Sequence, residues 1–148
     1  MSYLDVLTEI VQDEANFQHI GVSDEQIDPV EALIRKPFPQ EYREYLHMCN
    51  GGDFFDSAFT LFSVYDSSNI FITPAVNLGA YNMPGFAASL SIPESYIIIG
   101  VYNFGDFICL DSRSGKVIQW DVANDEAYLT YADLLDFLTQ AKADYLQA

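Results

Sequence analysis

Positive charge is what this chain most lacks. Its 148 residues hold six Lys or Arg against 22 Asp or Glu, a net charge of −16. No Lys or Arg precedes Arg35, and none falls between Arg43 and Arg113. Such a field repels nucleic acid and anionic membranes and attracts a basic partner, although acidity also serves solubility alone. Histidine is scarce too. His19 and His47 are too few for a histidine metal site, and the two-residue step from His47 to Cys49 points those side chains apart on a helix. The two cysteines, Cys49 and Cys109, lie in apolar segments without metal-ligand spacing. That pattern fits buried free thiols in a reducing cytosol, with a disulfide as the alternative. No apolar run approaches the roughly 20 residues of a membrane span. The N-terminus has no basic stretch followed by an apolar one. The expected location is cytoplasmic.

Catalytic motifs are missing as well. There is no Gly-x-Ser-x-Gly. Gly115-Lys116 fails as a phosphate loop, because Leu110 stands at the first glycine position and Val117 replaces the Ser or Thr. It reads as a hairpin turn, and Gly100 to Gly105 likewise as turn chemistry. Asp53 with Asp56, and Asp106 with Asp111, lack the regular spacing and terminal glutamate of a calcium loop. A glycosidase-type carboxylate pair needs only to meet in space, so an enzyme of that kind stays open beside a solvated acidic face. The expectation is no catalytic residue, no metal and no cofactor.

What is present suits a globular core. Half the residues are hydrophobic and 15% aromatic, enough for one domain of this length to bury most of its chain. Ser2 caps a first helix with Leu4, Leu7, Ile10 and Val11 on one face and Asp5, Glu9, Asp13 and Glu14 on the other. Gly21 and Ser23 interrupt it, and a loop follows. Asp28-Pro29-Val30-Glu31 starts a short helix through Ile34, stopped by two prolines. A third helix begins at Pro39, with Tyr42, Tyr45, Leu46 and Cys49 on one face. Asn50, Gly51 and Gly52 stop it and deliver an acidic, aromatic loop, Asp53-Phe54-Phe55-Asp56. The period then changes to two. Residues 59–64 read as a strand, 70–72 as a short one, and 74–81 as a helical turn or two. Residues 96–101, 106–110 and 116–121 are three strands joined by hairpin turns. Alternation in the last of them suggests a sheet covered mainly on one side. A helix over 131–145 buries Leu134, Leu135, Leu138, Ala141 and Tyr145. The fold class is a single α+β domain: N-terminal helices, an antiparallel meander with helices on one face, and a C-terminal helix.

The stretch Pro39-x-x-Tyr42-x-x-Tyr45-Leu46-x-x-x-Asn50-Gly51-Gly52 resembles the signature of the SUKH superfamily, the group typified by a yeast regulator of cell-wall synthesis. Glu31 sits where such proteins tend to carry a glutamate. Residues 97–100, 105–111 and 115–121 also look like the family, as does the closing aromatic-and-leucine helix. The resemblance covers roughly residues 20 to 140. Phe38 departs from it, since the family favours an aliphatic residue there, and 66–93 aligns with nothing. The resemblance implies an immunity protein that binds and neutralises a toxin, as its bacterial members largely do, many of those toxins being nucleases. Acidity fits physically, because nuclease faces that bind phosphates are basic. The segment 45–112, free of Lys and Arg, then supplies the interface candidates Asp53, Asp56, Asp66, Glu94, Asp106 and Asp111. Phe54 and Phe55 are either apolar anchors in that surface or core residues under a loop. A non-catalytic regulator or scaffold, like the yeast member, is the alternative.

Overall fold

In the computed structural model, which describes residues 3–13, 15–64 and 77–147, the first apolar stripe forms α1 (Tyr3–Val11). Leu7, Ile10 and Val11 are buried and Leu4 stays at the surface. The expected cap Ser2, and Glu14, lie outside the described residues, as do Asp66 and the strand expected at 70–72. A strand, β1 (Phe17–Ile20), follows where the sequence reads as loop. Four residues with both ends exposed carry no period; only pairing with the next strand makes them a strand. Helix α2 (Asp24–Ile34) starts one turn earlier than expected. Ser23 is its cap, its N–H donating to Gln26 Oε1 (3.0 Å), and Pro29 falls inside the helix. Burial of Ile27 together with Val30 and Ile34 on one face outweighs the backbone bond that Pro29 forfeits.

Helix α3 (Gln40–Met48) is capped by Pro39 and runs directly into β2 (Cys49–Phe54). Tyr42, Tyr45 and Leu46 are buried on its inner side. Cys49, expected on the same helical face, is buried as the first residue of β2, and Asp53 and Phe54, expected in a loop, complete that strand. The two glycines that follow answer to geometry as well as to helix termination. Gly51 has φ 76°, and a Cβ there would lie 2.4 Å from Leu61 O. Gly52 has φ 139°, and a Cβ there would lie 2.1 Å from Phe17 O. β2 is therefore wedged between β1 and β3 (Phe59–Leu61) at distances only glycine allows. Next come α4 (Leu78–Tyr81), α5 (Phe86–Ser89), β4 (Tyr96–Tyr102), β5 (Phe107–Asp111), β6 (Val117–Asp121), β7 (Glu126–Tyr131) and α6 (Leu134–Gln147). Strand β7 lies where the sequence suggested a connection to the last helix. The seven strands form one antiparallel meander in chain order.

Helices α1, α3 and α6 share one face. α1 packs on α3 and α6, and Phe59 and Tyr131 meet Phe137 of α6 at 5.2 and 5.1 Å. The centre of the sheet is covered on its other face too. Tyr81 stacks on Phe62 at 3.9 Å and meets Phe107, and Trp120 Nε1 donates to Leu90 O (3.1 Å). Val117, Ile118, Gln119 and Trp120 are consequently all buried. Two buried asparagines hold irregular segments to this frame. Asn50 accepts from Val64 N–H (2.8 Å) and donates to Val64 O (2.9 Å); Asn82 treats Ile98 in the same way. Each side chain copies the donor–acceptor pair of a neighbouring strand.

Candidate partner-binding surface

Antiparallel order puts alternate turns at the same end of the sheet. The turns 55–58, 103–106 and 122–125 gather at one end: Asn103 N–H donates to Ala58 O (3.0 Å) and Val122 N–H to Asp106 Oδ1 (3.3 Å). Three of the acidic candidates meet there. Asp53, half-buried at the end of β2, accepts from Thr60 Oγ1 (2.7 Å). Exposed Asp56 accepts from the Tyr145 hydroxyl (2.8 Å), and that bond raises the phenol's pKa. Asp106 accepts from Gln119 Nε2 (2.9 Å) through its second oxygen.

The turn that carries Asp56 is strained. Phe55, Asp56 and Ser57 all have left-handed backbone, with φ 52°, 56° and 63°. A non-glycine residue in that conformation costs about 1–2 kcal/mol. Asn16 secures the turn by accepting from Phe55 N–H (2.8 Å), and Asp56 N–H donates to Ala15 O (3.0 Å). Beside it lies a hollow of about 330 Å³ lined by Asn16, Phe17, Asp53, Asp56 and Ser57. Phe17, at the outer edge of the sheet, is 69% exposed.

The two aromatic candidates do not reach this surface. Phe54 and Phe55 are 0% and 2% exposed. Phe54 stacks on Phe59 at 5.6 Å, and Phe55 packs against Tyr145 of α6. They are core residues under the turn, because α6 folds back across it. Exposed aromatics of this end include Phe17 and Phe104, the latter stacked on Tyr102 at 5.0 Å. Glu94 and Asp111 are absent from it as well. Asp106 and Asp111 flank β5 and stand about 16 Å apart along the strand, so they form neither one patch nor a catalytic pair. Around Asp111, burial opposes ionisation, but donation from Arg113 N–H and the Ser114 hydroxyl prevails and holds its pKa below the ordinary value. Asp66 lies outside the described residues.

The hairpin end also holds acids that no sequence pattern singled out. Asp121, Asp125 and Glu126 come from the β6–β7 turn, and Asp144 from the last stretch of α6. Lys142 is the cation from that stretch of α6, and Asp13 holds it at 3.4 Å. Arg35, Lys36, Arg113 and Lys116 belong to the other end, where α2 stops and β5 turns into β6. There Lys36 Nζ donates to Tyr96 O (2.7 Å), and burial lowers its pKa against the pull of Glu94. Arg43 is engaged elsewhere, with Asp24, Asp28 and Glu31 at 2.9, 2.8 and 3.1 Å.

Glu31 and Glu41 both tie elements together. Glu31 accepts from Phe38 N–H (2.7 Å), fixing the chain between α2 and α3. Glu41 accepts from Leu135 N–H (2.9 Å) and so caps α6. Among the described residues no helix is long and apolar enough to cross a membrane, and none of their His, Cys, Asp and Glu side chains form a metal-binding group.

The sequence profile of the SMI1 / KNR4 family (SUKH-1) matches residues 21–140. That range runs from the residue before Val22 through α2, α3 and strands β2 to β7 into the first half of α6, and leaves out α1 and β1. No curated protein matches the chain.

Proposed function

The chain belongs to the SMI1 / KNR4 family (SUKH-1), and on that premise we propose that it is an immunity protein of the bacterial type. It binds and neutralises a toxin by laying the acidic hairpin end of its sheet on a basic face, that of a nuclease domain. The observation that carries this reading is the charge polarity of the fold. Asp53, Asp56, Asp106, Asp121, Asp125, Glu126 and Asp144 share one end with a cation that is already paired. Long-range attraction of that kind accelerates encounter, and occupation of the phosphate-binding face stops the toxin without chemistry. The hollow beside Asp56 offers two carboxylates and the Phe17 ring, a seat for a partner arginine. Strain in the turn that presents Asp56 agrees with a functional position.

Co-purification with the product of the adjacent coding sequence tests this, at low salt and at about 0.5 M, where screening leaves only short-range contacts. A tight complex that protects cells from that product is expected. Reversing Asp56, Asp125, Glu126 and Asp144 to lysine should lower the association rate about 10- to 100-fold and flatten its salt dependence. The same reversal at Glu94 and Asp111 should change it little. An unchanged rate after the first set would discard the hairpin end, and absence of any complex would favour a regulatory scaffold.

A further inference from the structure

We propose that the groove at the opposite end of the sheet binds a partner segment in which acidic and apolar side chains are interspersed. The groove has a volume of about 670 Å³ and is walled by the end of α2, the residues around α5 and the β5–β6 turn. It reverses the charge of the molecule. Arg35, Lys36 and Arg113, half of the six Lys and Arg, line it against one carboxylate, Glu94. Arg35 and Arg113 have no ion-pair partner among the described residues, whereas Arg43 has three and Lys142 one. Between them the lining mixes apolar residues, buried Ile34 and Ile92 and half-exposed Met83, with polar Asn82, Ser95 and Ser112.

Arg35 occupies a strained position at the rim of this groove. It ends α2 in the left-handed conformation with φ 62°, the position that glycine fills at least cost. A guanidinium at such a position agrees with a functional role. Both arginines are exposed and come from separate segments, so they build no enclosed cradle for one small anion. They suit carboxylates spaced along an extended chain, with apolar side chains settling on Ile34, Met83 and Ile92. The field of a chain at −16 opposes any acidic ligand, so capture must come from the groove itself. This site is independent of the hairpin end, and either can fail alone.

Random peptides displayed on phage and selected on the wild-type chain, with counter-selection on R35E/R113E, provide the test. Enriched peptides should carry Asp or Glu together with large apolar residues. As synthetic peptides they should bind R35E/R113E at least about tenfold more weakly and bind Asp56→Lys undiminished. Arg35→Gly should keep or raise the melting temperature while weakening the same peptides, which separates a lost site from a lost fold. The proposal is overturned if no acidic peptide is enriched, if enriched peptides bind R35E/R113E as tightly as wild type, or if inorganic phosphate alone binds and displaces them.

Discussion

Asn50 is wholly buried, and its carboxamide satisfies both backbone groups of Val64, while its own carbonyl accepts from the Ser63 hydroxyl (2.6 Å). Truncation to alanine strands a buried donor and a buried acceptor at once. Each such loss costs about 1–3 kcal/mol, so Asn50→Ala should lower stability by roughly 2–5 kcal/mol in urea unfolding. A loss under about 1 kcal/mol would mean that water replaces the side chain. The turn 55–57 gives the opposite sign. Ser57 is exposed with φ 63°, so Ser57→Gly relieves strain at the expense of a freer unfolded chain. The net expectation is a gain of up to about 1 kcal/mol, read as a higher urea midpoint.

At the scale of elements, Glu31 in α2 and Glu41 in α3 act on neighbouring segments as well as on their own helices. Glu41 stands in the first turn of α3, where a carboxylate favours the helix dipole. Its oxygen is also the partner of an otherwise open N–H at the start of α6. Glu41→Ala should cost about 0.5–2 kcal/mol and raise amide exchange selectively over the first turn of α6. Uniform exchange across α3 and α6 would show that the cap is not the point of failure. α6 matters beyond its own stability, because Tyr145 covers Phe55 and Phe137 covers Phe59, and together they support the strained acidic turn.

For the molecule as a whole, the core holds protonated groups that resist ionisation. Burial pushes the Cys49 thiol up to about 11 and the Cys109 thiol up to about 12, from an ordinary 9.0. Burial also raises Tyr42, Tyr45 and Tyr102. Well below pH 9 folded and unfolded chains alike keep these protons, and stability does not depend on them. As pH approaches 9 and passes it, the unfolded chain releases protons that the folded chain retains, so stability falls as pH rises. The urea midpoint should hold steady from pH 7 to about 8.5 and then decline continuously through pH 11. A flat profile to pH 11 would contradict the burial of both thiols, as would rapid labelling of either cysteine at pH 8.

The sequence by itself determined the elements whose signals are local. The spacing of Tyr42, Tyr45, Leu46 and Cys49, the stop at Asn50-Gly51-Gly52 and the β-branched runs of β4 to β6 each need only neighbours a few residues away. Edge strands β1 and β7 escaped it, because an exposed strand has no periodic burial and is defined by its partner. Strand β2 escaped it too, because Asn50, Gly51 and Gly52 read as a helix stop before a loop, and only pairing with both neighbours makes 49–54 a strand. Helix α2 began early because burial of Ile27 outweighed the rule that proline starts helices. Tertiary structure alone decided where charge collects. Asp106 and Asp111 are close in the chain and far apart in space, because an extended strand carries them to opposite ends of the sheet. Asp53, Asp106 and Asp144 are far apart in the chain and share one end, because antiparallel pairing stacks alternate turns and α6 returns across them. Solvated carboxylates obey no period, so only the completed fold shows which of them act together.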